Sequence, residues 1–227
     1  MDLLNKVAPV CFKYTVQQGQ NEGTSRKLKI HIIEHTLEDK VKTIKSGNSK
    51  KSFLQTEQQV YDYWDKRHKK SWFLEDQEKK DLEIRITSYK RSQLLYNADS
   101  KIELVKKLLP TLKGKTILFG NSLNALLKIT PNVINSKYSD ERNKKIRNDF
   151  DNNKINVIGS FKKLKQGANL NDLDNCVIMS YYSSEKDFIQ RIGRLRDNGQ
   201  IGNVYIIVTK NTQEEIWFSK MIENFEI

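Results

Sequence analysis

The chain has 227 residues and a net charge of +12, with 37% hydrophobic and 30% charged residues. This length fits one large domain or one domain with an insertion. The charge favours a polyanionic partner such as nucleic acid, the alternative being a merely solvated lysine-rich surface. The two cysteines form no Cys-x-x-Cys pair and no apolar run reaches the ~18 residues of a membrane span, which excludes a disulfide scaffold and a spanning helix. No signal peptide follows Met1, so we expect a soluble, cytoplasmic protein.

The first half of the chain combines one predicted strand with polar helices. The apolar run Leu28–Ile33 predicts a strand, and the basic, Gly- and Ser-containing segment Val41–Ser52 predicts a loop. Two polar, aromatic-containing helices are predicted over 55–69 and 77–97. These elements indicate an α-helical insertion in the N-terminal half. The chain is therefore divided into three parts: a leading segment with one strand (1–35), the helical insertion (36–97) and the main domain (98–227).

A third helix is predicted between the insertion and the main domain, over Ser100–Leu112. Its apolar residues recur at helical spacing, and Ser100 with Glu103 matches a capping box. Pro110 and Gly114 mark its end. We interpret this helix as the lead-in to the sheet.

The second half alternates short apolar runs with amphipathic segments. The predicted strands are Thr116–Phe119, Val133–Asn135, Ile155–Ser160, Cys176–Tyr181 and Val204–Val208. The predicted helices are Asn121–Ile129, Ser139–Phe150, one opened by a capping box at Ser184, and a last one over about 212–224. Strands that alternate with helices of this length indicate βαβ units, so we expect an α/β fold with a parallel sheet flanked by helices.

The triplet Gly114-Lys115-Thr116 reproduces the end of a Walker A phosphate-binding loop, but its surroundings do not. The full motif requires a glycine where this chain has Leu109, a strand before the loop and a helix after it. Here the predicted order is reversed, so backbone amides at a helix N-terminus cannot face a phosphate. The chain has no other G-x-x-x-x-G-K-S/T sequence and no Asp-Glu pair at the end of an apolar strand. We expect it to supply only part of any ATP site.

The segment DFIQRIGRL forms an amphipathic helix when it is projected at about 100° per residue. One side is apolar, and it is predicted to pack on the sheet. Gln190 and Arg194 lie together on the opposite side, with Arg191 flanking them, and Gly193 allows another backbone or a ligand to approach closely. Guanidinium groups held outward suit a nucleotide phosphate, and a solvated cationic face is the alternative. The helix is predicted to end near Leu195, before the turn-like Asp-Asn-Gly.

The sequence QRIGRLR resembles motif VI of superfamily 2 helicases and translocases, Q-x-x-G-R-x-x-R. KTILFGNSLNAL is similar to motif IV, and SFKKLKQGANLNDLDNCVI is similar to motif V, with Ser160 at the usual threonine position. The motif order matches the second RecA-like domain of that family, and the resemblance extends from about Lys113 to the C-terminus. It implies that 98–227 is a second RecA-like helicase domain.

The resemblance also implies a role for each matching residue. ATP with Mg²⁺ is expected in the cleft between this lobe and a separate first lobe, and no tight binding is expected by this chain alone. The expected arginine fingers are Arg194 together with Arg191 or Arg196. The expected nucleotide contacts are Gln190, Gly193, Gly167 and Asn169. The expected contacts to one nucleic-acid strand, for which we favour DNA over RNA, are Asn121, Ser122, Ser160, Lys162 and Lys163. No metal ligands are expected.

Two departures from the family pattern bear on these roles. Arg196 stands one place earlier than the usual last arginine of motif VI, and Asn169 replaces a common aspartate. The sequence also lacks the first lobe. Three explanations are open: the lobe is a separate gene product, it was removed from this chain, or it was lost. The alternative function is a non-catalytic lobe that binds nucleic acid or regulates a motor. A Rossmann-like nucleotide binder is a weaker alternative, because no G-x-G-x-x-G follows a strand.

Overall fold

The computed structural model describes residues 26–47, 51–161, 170, 172–180, 185–195 and 200–223. Its main feature is a six-stranded sheet in which every pairing is parallel and the strand order is β1-β8-β7-β4-β6-β5. The strands of this sheet are β1 (Leu28–His35), β4 (Lys115–Gly120), β5 (Val133–Ile134), β6 (Val157–Phe161), β7 (Leu173–Ile178) and β8 (Gly202–Thr209). The predicted strand Leu28–Ile33 is confirmed, and it pairs with β8 at one edge.

Helices cover both faces of the sheet. They are α1 (Glu57–Ser71), α2 (Gln77–Asn97), α3 (Asp99–Leu108), α4 (Leu123–Ile129), α5 (Asp140–Asp151), α6 (Glu185–Ile192) and α7 (Gln213–Glu223), with a 3₁₀ turn over Leu109–Thr111. Alternate residues of the central strands point to opposite faces. On β4, Ile117 and Phe119 pack with α5, α6 and α7, whereas Leu118 packs with α3 and α4. The predicted α/β fold with a parallel sheet flanked by helices is therefore confirmed.

The predicted loop Val41–Ser52 is wrong in part, because it contains one short strand and the first residue of another. β2 (Ile44–Gly47) pairs antiparallel with β3 (Ser52–Gln55), in register from Ile44 opposite Gln55 to Gly47 opposite Ser52. Glycine, asparagine and, to a lesser degree, lysine are depleted in strands, so composition favoured a loop. Backbone pairing decides the conformation here, and Gly47 adopts a φ of +99°, which side chains rarely allow.

Helices α1 and α2 form an antiparallel pair. Asp65 binds Arg91 and Arg67 binds Glu83, so the contacts run in opposite directions along the two helices. Thr56 caps α1 in a complete capping box with Gln59. Together with β2 and β3 these helices make up the described part of the insertion.

The predicted capping box at Ser100 is wrong. Helix α3 starts at Asp99, and its cap residue Ala98 provides no side-chain hydrogen bond. The Ser100 hydroxyl instead donates to the carboxylate of Glu57, which also accepts the Ser100 backbone N–H at 3.1 Å. Glu57 is buried, and a buried carboxylate requires donors, so this tertiary contact outweighs the local cap.

Candidate nucleotide and nucleic-acid interface

The candidate site lies at the carboxyl edge of the sheet. Parallel strands end at one edge, and in open α/β sheets ligands bind in the crevice outside that edge. Strand β4 ends at Gly120 and is followed by Asn121 and Ser122, β6 ends at Phe161, and β7 is followed by Met179 and Ser180. The sheet order places β4 between β6 and β7, so these strand ends are neighbours.

Helix α6 packs against this sheet through the apolar side predicted from the sequence. Phe188, Ile192 and Leu195 are each at most 4% exposed and belong to the core on that face. Gln190 is exposed and Arg194 is half-buried. The regular helix ends at Ile192, and a turn continues to Leu195, whose N–H donates to the Ile192 carbonyl at 2.9 Å. The predicted docking face and the helix end near Leu195 are confirmed.

Arg191 connects α6 to the ends of two neighbouring strands. Its guanidinium donates to the Ser180 carbonyl after β7 and, at 3.4 Å, to Asn121 Oδ1 after β4. The same group lies 5.6 Å from the centre of the Phe119 ring. A planar guanidinium offers five N–H donors in a fixed arrangement, so one side chain can hold several acceptors at once. The arrangement fixes how α6 sits on the sheet edge.

Two buried polar atoms beside Arg191 have no hydrogen-bond partner among the described residues. They are Asn121 Nδ2 and Ser180 Oγ, one at the end of each strand that Arg191 joins. Buried polar groups are rarely left unsatisfied, because each costs about 1–3 kcal/mol. Such donors suit a ligand oxygen at this edge. The sequence singled out Asn121 and missed Ser180, although its position at the carboxyl end of the predicted strand Cys176–Tyr181 was the available signal.

The hydroxyls of Ser122 and Ser160 are both buried. Ser122 Oγ caps α4 by accepting the Ala125 N–H at 3.2 Å, and it donates to Asn97 Oδ1 at 2.5 Å. Ser160 is 1% exposed within β6, paired opposite Phe119. Capping explains the position of Ser122 without any ligand, so the expected phosphate contacts from these two hydroxyls remain predictions.

Five of the predicted site residues lie outside the described residues. They are Lys162, Lys163, Gly167, Asn169 and Arg196. Of the remaining residues, Arg191 of motif VI contacts Asn121 of motif IV at the carboxyl edge.

Cys176 is buried in β7 beneath this site. Burial raises the pKa of its thiol to about 12, and the nearby Arg191 charge offsets this only in part. The thiolate is the nucleophilic form of cysteine, so this thiol is suited to packing and not to chemistry. Within the described ranges, no group of three or more His, Cys, Asp or Glu side chains could hold a metal ion.

A strand follows Gly114 directly, and Lys115 and Thr116 are its first two residues, so no helix follows the triplet, as predicted. Gly114 has a φ of +86°, and a Cβ there would meet the Asp174 carboxylate at 2.0 Å. Lys115 is the first residue of strand β4 and does not lie in a helix. Its Nζ donates to the Asp151 carbonyl at 3.3 Å. Asp174 accepts the Lys115 N–H at 2.8 Å. The glycine serves a tight turn beside Asp174, and the triplet does not form a phosphate-binding loop.

The parallel sheet, the docked arginine helix and the motif order define the class of protein as a RecA-like α/β lobe. Residues 100–199 match the family described as helicase conserved C-terminal domain. The predicted resemblance to the C-terminal RecA-like lobe of superfamily 2 helicases is confirmed over this range.

Similarity to individual proteins is distant. The chain is 23% identical over 215 residues to the DNA 3'-5' translocase XPB2 of Sulfurisphaera tokodaii, an alignment that covers 92% of this chain and 49% of that protein. It is 30% identical over 67 residues to the mitochondrial ATP-dependent RNA helicase MRH4 of Debaryomyces hansenii, covering 30% of this chain and 11% of that protein. The chain thus spans at most about half the length of these two relatives.

Solved structures share the fold. The C-terminal part of the Fun30 ATPase domain aligns with a TM-score of 0.59 at 14% identity and covers 86% of this chain and 89% of that one. The C-terminal domain of the DEAD-box protein Dbp5 aligns with a TM-score of 0.51 at 15% identity and covers 58% of this chain and 81% of that one. Within the described residues, no helix is both long and apolar enough to cross a membrane.

Proposed function

We propose that this chain is the C-terminal motor lobe of an ATP-dependent nucleic-acid helicase or translocase. The observation that carries the proposal is the way α6 packs against the end of the sheet. Buried Phe188, Ile192 and Leu195 fix its inner face, and Arg191 fixes it to the ends of β4 and β7. Gln190 lies on the same helix and Arg194 lies in the turn that follows it. In this proposal both face the sheet edge where α/β folds bind ligands.

In this proposal ATP with Mg²⁺ lies between this lobe and a first lobe that supplies the Walker A and B groups. Arg194 approaches the γ-phosphate and stabilises charge as the phosphoryl group is transferred, and Gln190 contacts the nucleotide. Gly193 permits close approach, and Gly167 and Asn169 approach from the motif V segment. Arg191 is already bound to Ser180 and Asn121, so we assign it the positioning of α6. Arg196 is the second candidate finger.

One nucleic-acid strand is proposed to lie along the same edge. Asn121 contributes its unsatisfied Nδ2, and Ser122, Ser160, Lys162 and Lys163 add hydrogen-bond donors or charge. Such contacts grip phosphates and position the strand without reading its sequence. We favour DNA, because the relative aligned over 92% of the chain is a DNA translocase.

Three further expectations belong to the proposal. The parts 1–35, 36–97 and 98–227 are taken as leading segment, insertion and motor domain. A cytoplasmic location is expected, which cell fractionation checks. A non-catalytic lobe is the second candidate function, and it is favoured by the placement of Gly114-Lys115-Thr116 at the start of a strand, where no phosphate loop forms.

The deciding experiment measures ATP turnover by the motor reconstituted from this chain and its ATPase partner, with nucleic acid present. Arg194→Ala is expected to reduce turnover by roughly 10³-fold or more, the scale lost with an arginine finger. Arg196→Ala is expected to cost less if its early spacing displaces it from the nucleotide, and as much if the loop compensates. The isolated chain is expected to hydrolyse ATP at background rate.

Normal turnover of the Arg194→Ala motor together with abolished turnover of the Arg196→Ala motor would show that the finger is assigned to the wrong residue. Magnesium-dependent, nucleic-acid-stimulated hydrolysis by the isolated chain that is lost on Arg194→Ala would contradict the two-lobe arrangement. A chain that binds nucleic acid but stimulates no partner would favour the non-catalytic lobe.

A further inference from the structure

A cleft of about 240 Å³ lies between α1, α2 and α7, on elements that the proposed motor chemistry does not use. Its lining residues include Trp72 and Trp217, Ser88 and Ser92, and Arg91. The cleft thus combines two aromatic residues with small hydroxyl residues and one cation. Aromatic side chains beside a few polar groups are common in ligand sites.

Arg91 is the group that indicates an occupant. The Arg91 residue is 7% exposed. Its Nη1 donates to Asp65 Oδ1 at 2.6 Å and to Gln213 Oε1 at 3.5 Å. Its Nε is buried and has no acceptor among the described residues. A buried N–H of a charged group is costly to leave unsatisfied, so an oxygen or nitrogen acceptor in the cleft would stabilise it.

His68, also on the cleft wall, is held neutral. Burial is the largest cause that lowers the pKa of His68, and the charge of Arg91 also lowers it. The carboxylate of Asp65 raises the pKa and opposes both effects. Its Nδ1 lies 2.8 Å from the Thr87 hydroxyl, and its Nε2 accepts the Trp72 indole N–H at 3.4 Å. The contact fixes the Trp72 ring, which is 54% exposed, at the cleft mouth. A fixed, half-exposed indole is well suited to stacking on a flat ring.

The adjoining face of α1 is cationic and carries an exposed aromatic ring. Lys66, Lys69, Lys70 and Phe73 line a shallow depression of about 370 Å³ together with Asp62 and Asp65. Phe73 is 87% exposed. Asp65 joins this face to the cleft, since it binds Lys69 at 2.8 Å and Arg91 at 2.6 Å. The charge of its carboxylate is thereby offset by two cations. Lys66, Lys70 and the carboxylate of Asp62 remain exposed on this face.

We propose that the cleft and this α1 face form an accessory site for single-stranded nucleic acid on the insertion. An unpaired base stacks on Trp72, and its ring or carbonyl acceptor takes the Arg91 Nε–H. The neighbouring phosphates lie along Lys66 and Lys70. Aromatic stacking beside a positively charged track is the general means of binding single strands.

Charge and geometry favour this occupant over an acidic peptide. The chain carries a net charge of +12, so polyanions of any kind are attracted. Only a nucleic acid places a flat ring with acceptors and a phosphate on each repeating unit, which matches a narrow aromatic cleft next to a lysine face. A base within a duplex is already stacked and paired, so single strands are expected to bind better than duplexes.

The test is the affinity of the full chain for a labelled single strand of about 10 nucleotides, measured by fluorescence anisotropy, against the same strand with abasic sites. Wild type is expected to bind the intact strand more tightly than the abasic strand or a duplex. Trp72→Ala is expected to weaken intact-strand binding by roughly 5- to 100-fold, the fold-change for one stacked base, and to leave abasic-strand binding unchanged. Tyr89→Ala, which removes a 59% exposed ring of α2 outside the cleft, is the matched control with no expected loss.

A second measurement uses the tryptophans themselves. The chain has three, and the third, Trp64, lies between Arg67 and Lys90 away from the cleft. In Trp64→Phe the remaining fluorescence comes from the two cleft indoles, and the intact strand is expected to quench it more strongly than the abasic strand.

Several results would overturn the proposal. They are equal affinities of wild type and Trp72→Ala for the intact strand, equal quenching by intact and abasic strands, and quenching by an acidic peptide alone. Arg194→Ala is expected to retain this binding. Failure of the accessory site is therefore distinguishable from failure of the proposed motor function.

Discussion

Arg191 shows how a single residue of α6 fixes the position of the whole helix. It binds a strand-end carbonyl and a strand-end amide, and its charge lies beside the Phe119 ring. Arg194, three residues further on, follows the end of the regular helix and is half-buried. Two arginines of one short motif thus have different surroundings, which predicts that their removal affects different properties.

Arg191→Ala is expected to lower the free energy of unfolding by about 1–3 kcal/mol, because it leaves two acceptors without their charged donor. For a chain of this size that corresponds to a fall in Tm of roughly 3–10 °C. Arg194→Ala is the matched control and is expected to cost less than about 1 kcal/mol. Thermal unfolding of both variants checks this, and an equal or larger loss for Arg194→Ala would contradict the assigned roles.

His35 is a second residue whose surroundings set a measurable property. Its Nδ1 lies 3.2 Å from the Thr209 hydroxyl and its Nε2 lies 2.9 Å from the Ser100 hydroxyl. Burial lowers its pKa to about 3, helped by the charge of Lys101. The folded state therefore holds this imidazole neutral, and it binds a proton less readily than the unfolded state does.

The free energy of unfolding is expected to fall as the pH falls from about 6.5 toward 3, because only the unfolded chain then gains this proton. The contribution is complete above the unfolded pKa and decreases by up to about 1.4 kcal/mol per pH unit below it. Urea unfolding at pH 7 and pH 5 measures the change, and the difference between wild type and His35→Gln isolates this residue from the carboxylates. An identical pH dependence in the two proteins would sink the assignment.

At the scale of elements, a buried polar network joins the insertion to the end of the sheet. Lys101 of α3 binds both carboxylate oxygens of Glu214 of α7, at 2.9 and 2.7 Å, and both side chains are fully buried. Thr209, at the end of β8, donates to Glu214 at 2.6 Å. From the insertion, Tyr61 accepts the Gln213 N–H at 2.7 Å. These contacts attach α1, α3 and α7 to one another across long stretches of sequence.

Breaking the ion pair on one side is expected to be costly. Lys101→Met leaves a buried carboxylate without its counter-ion and should lower the free energy of unfolding by about 3–5 kcal/mol. The double variant Lys101→Met/Glu214→Gln removes both charges and should lose markedly less than the sum of the two single changes. Chemical unfolding of the four proteins gives the coupling between the two residues. Strict additivity would show that the pair does not act as a unit.

At the scale of the whole molecule, charge dominates the expected behaviour toward nucleic acid. A net charge of +12 on 227 residues gives a field that attracts any polyanion, and phosphate contacts carry no sequence information. Binding by this chain alone is therefore expected to be weak, tolerant of sequence and governed by salt.

The affinity for nucleic acid is expected to fall at least about tenfold between 50 and 200 mM salt, since each neutralised phosphate releases counter-ions. Binding isotherms at several salt concentrations give the slope, and scrambled sequences of equal length serve as the control. An affinity that does not depend on salt, or that depends strongly on sequence, would contradict phosphate-driven binding.

The sequence alone predicted the elements whose signals are local. Apolar runs marked the parallel strands, the apolar side of DFIQRIGRL predicted which face of α6 packs, and the order around Lys115 excluded a phosphate loop. It failed where a local signal competed with a distant partner. Ser100 binds Glu57 and does not cap its own helix, and Ile44–Gly47 pairs as a strand with Ser52–Gln55. In both cases a tertiary or backbone contact outweighed local propensity.

Only the tertiary structure decided which residues meet. Sheet order places the ends of β4 and β7 side by side, which brings Asn121 and Ser180 under Arg191 although they stand far apart in sequence. The same holds for Lys101 and Glu214, 113 positions apart, and for the cleft formed by Arg91 and Trp217. Periodicity reports which side of an element is buried, because that depends on neighbours within a few residues. Which element lies opposite depends on how the whole chain closes its core, and no short stretch of sequence contains that information.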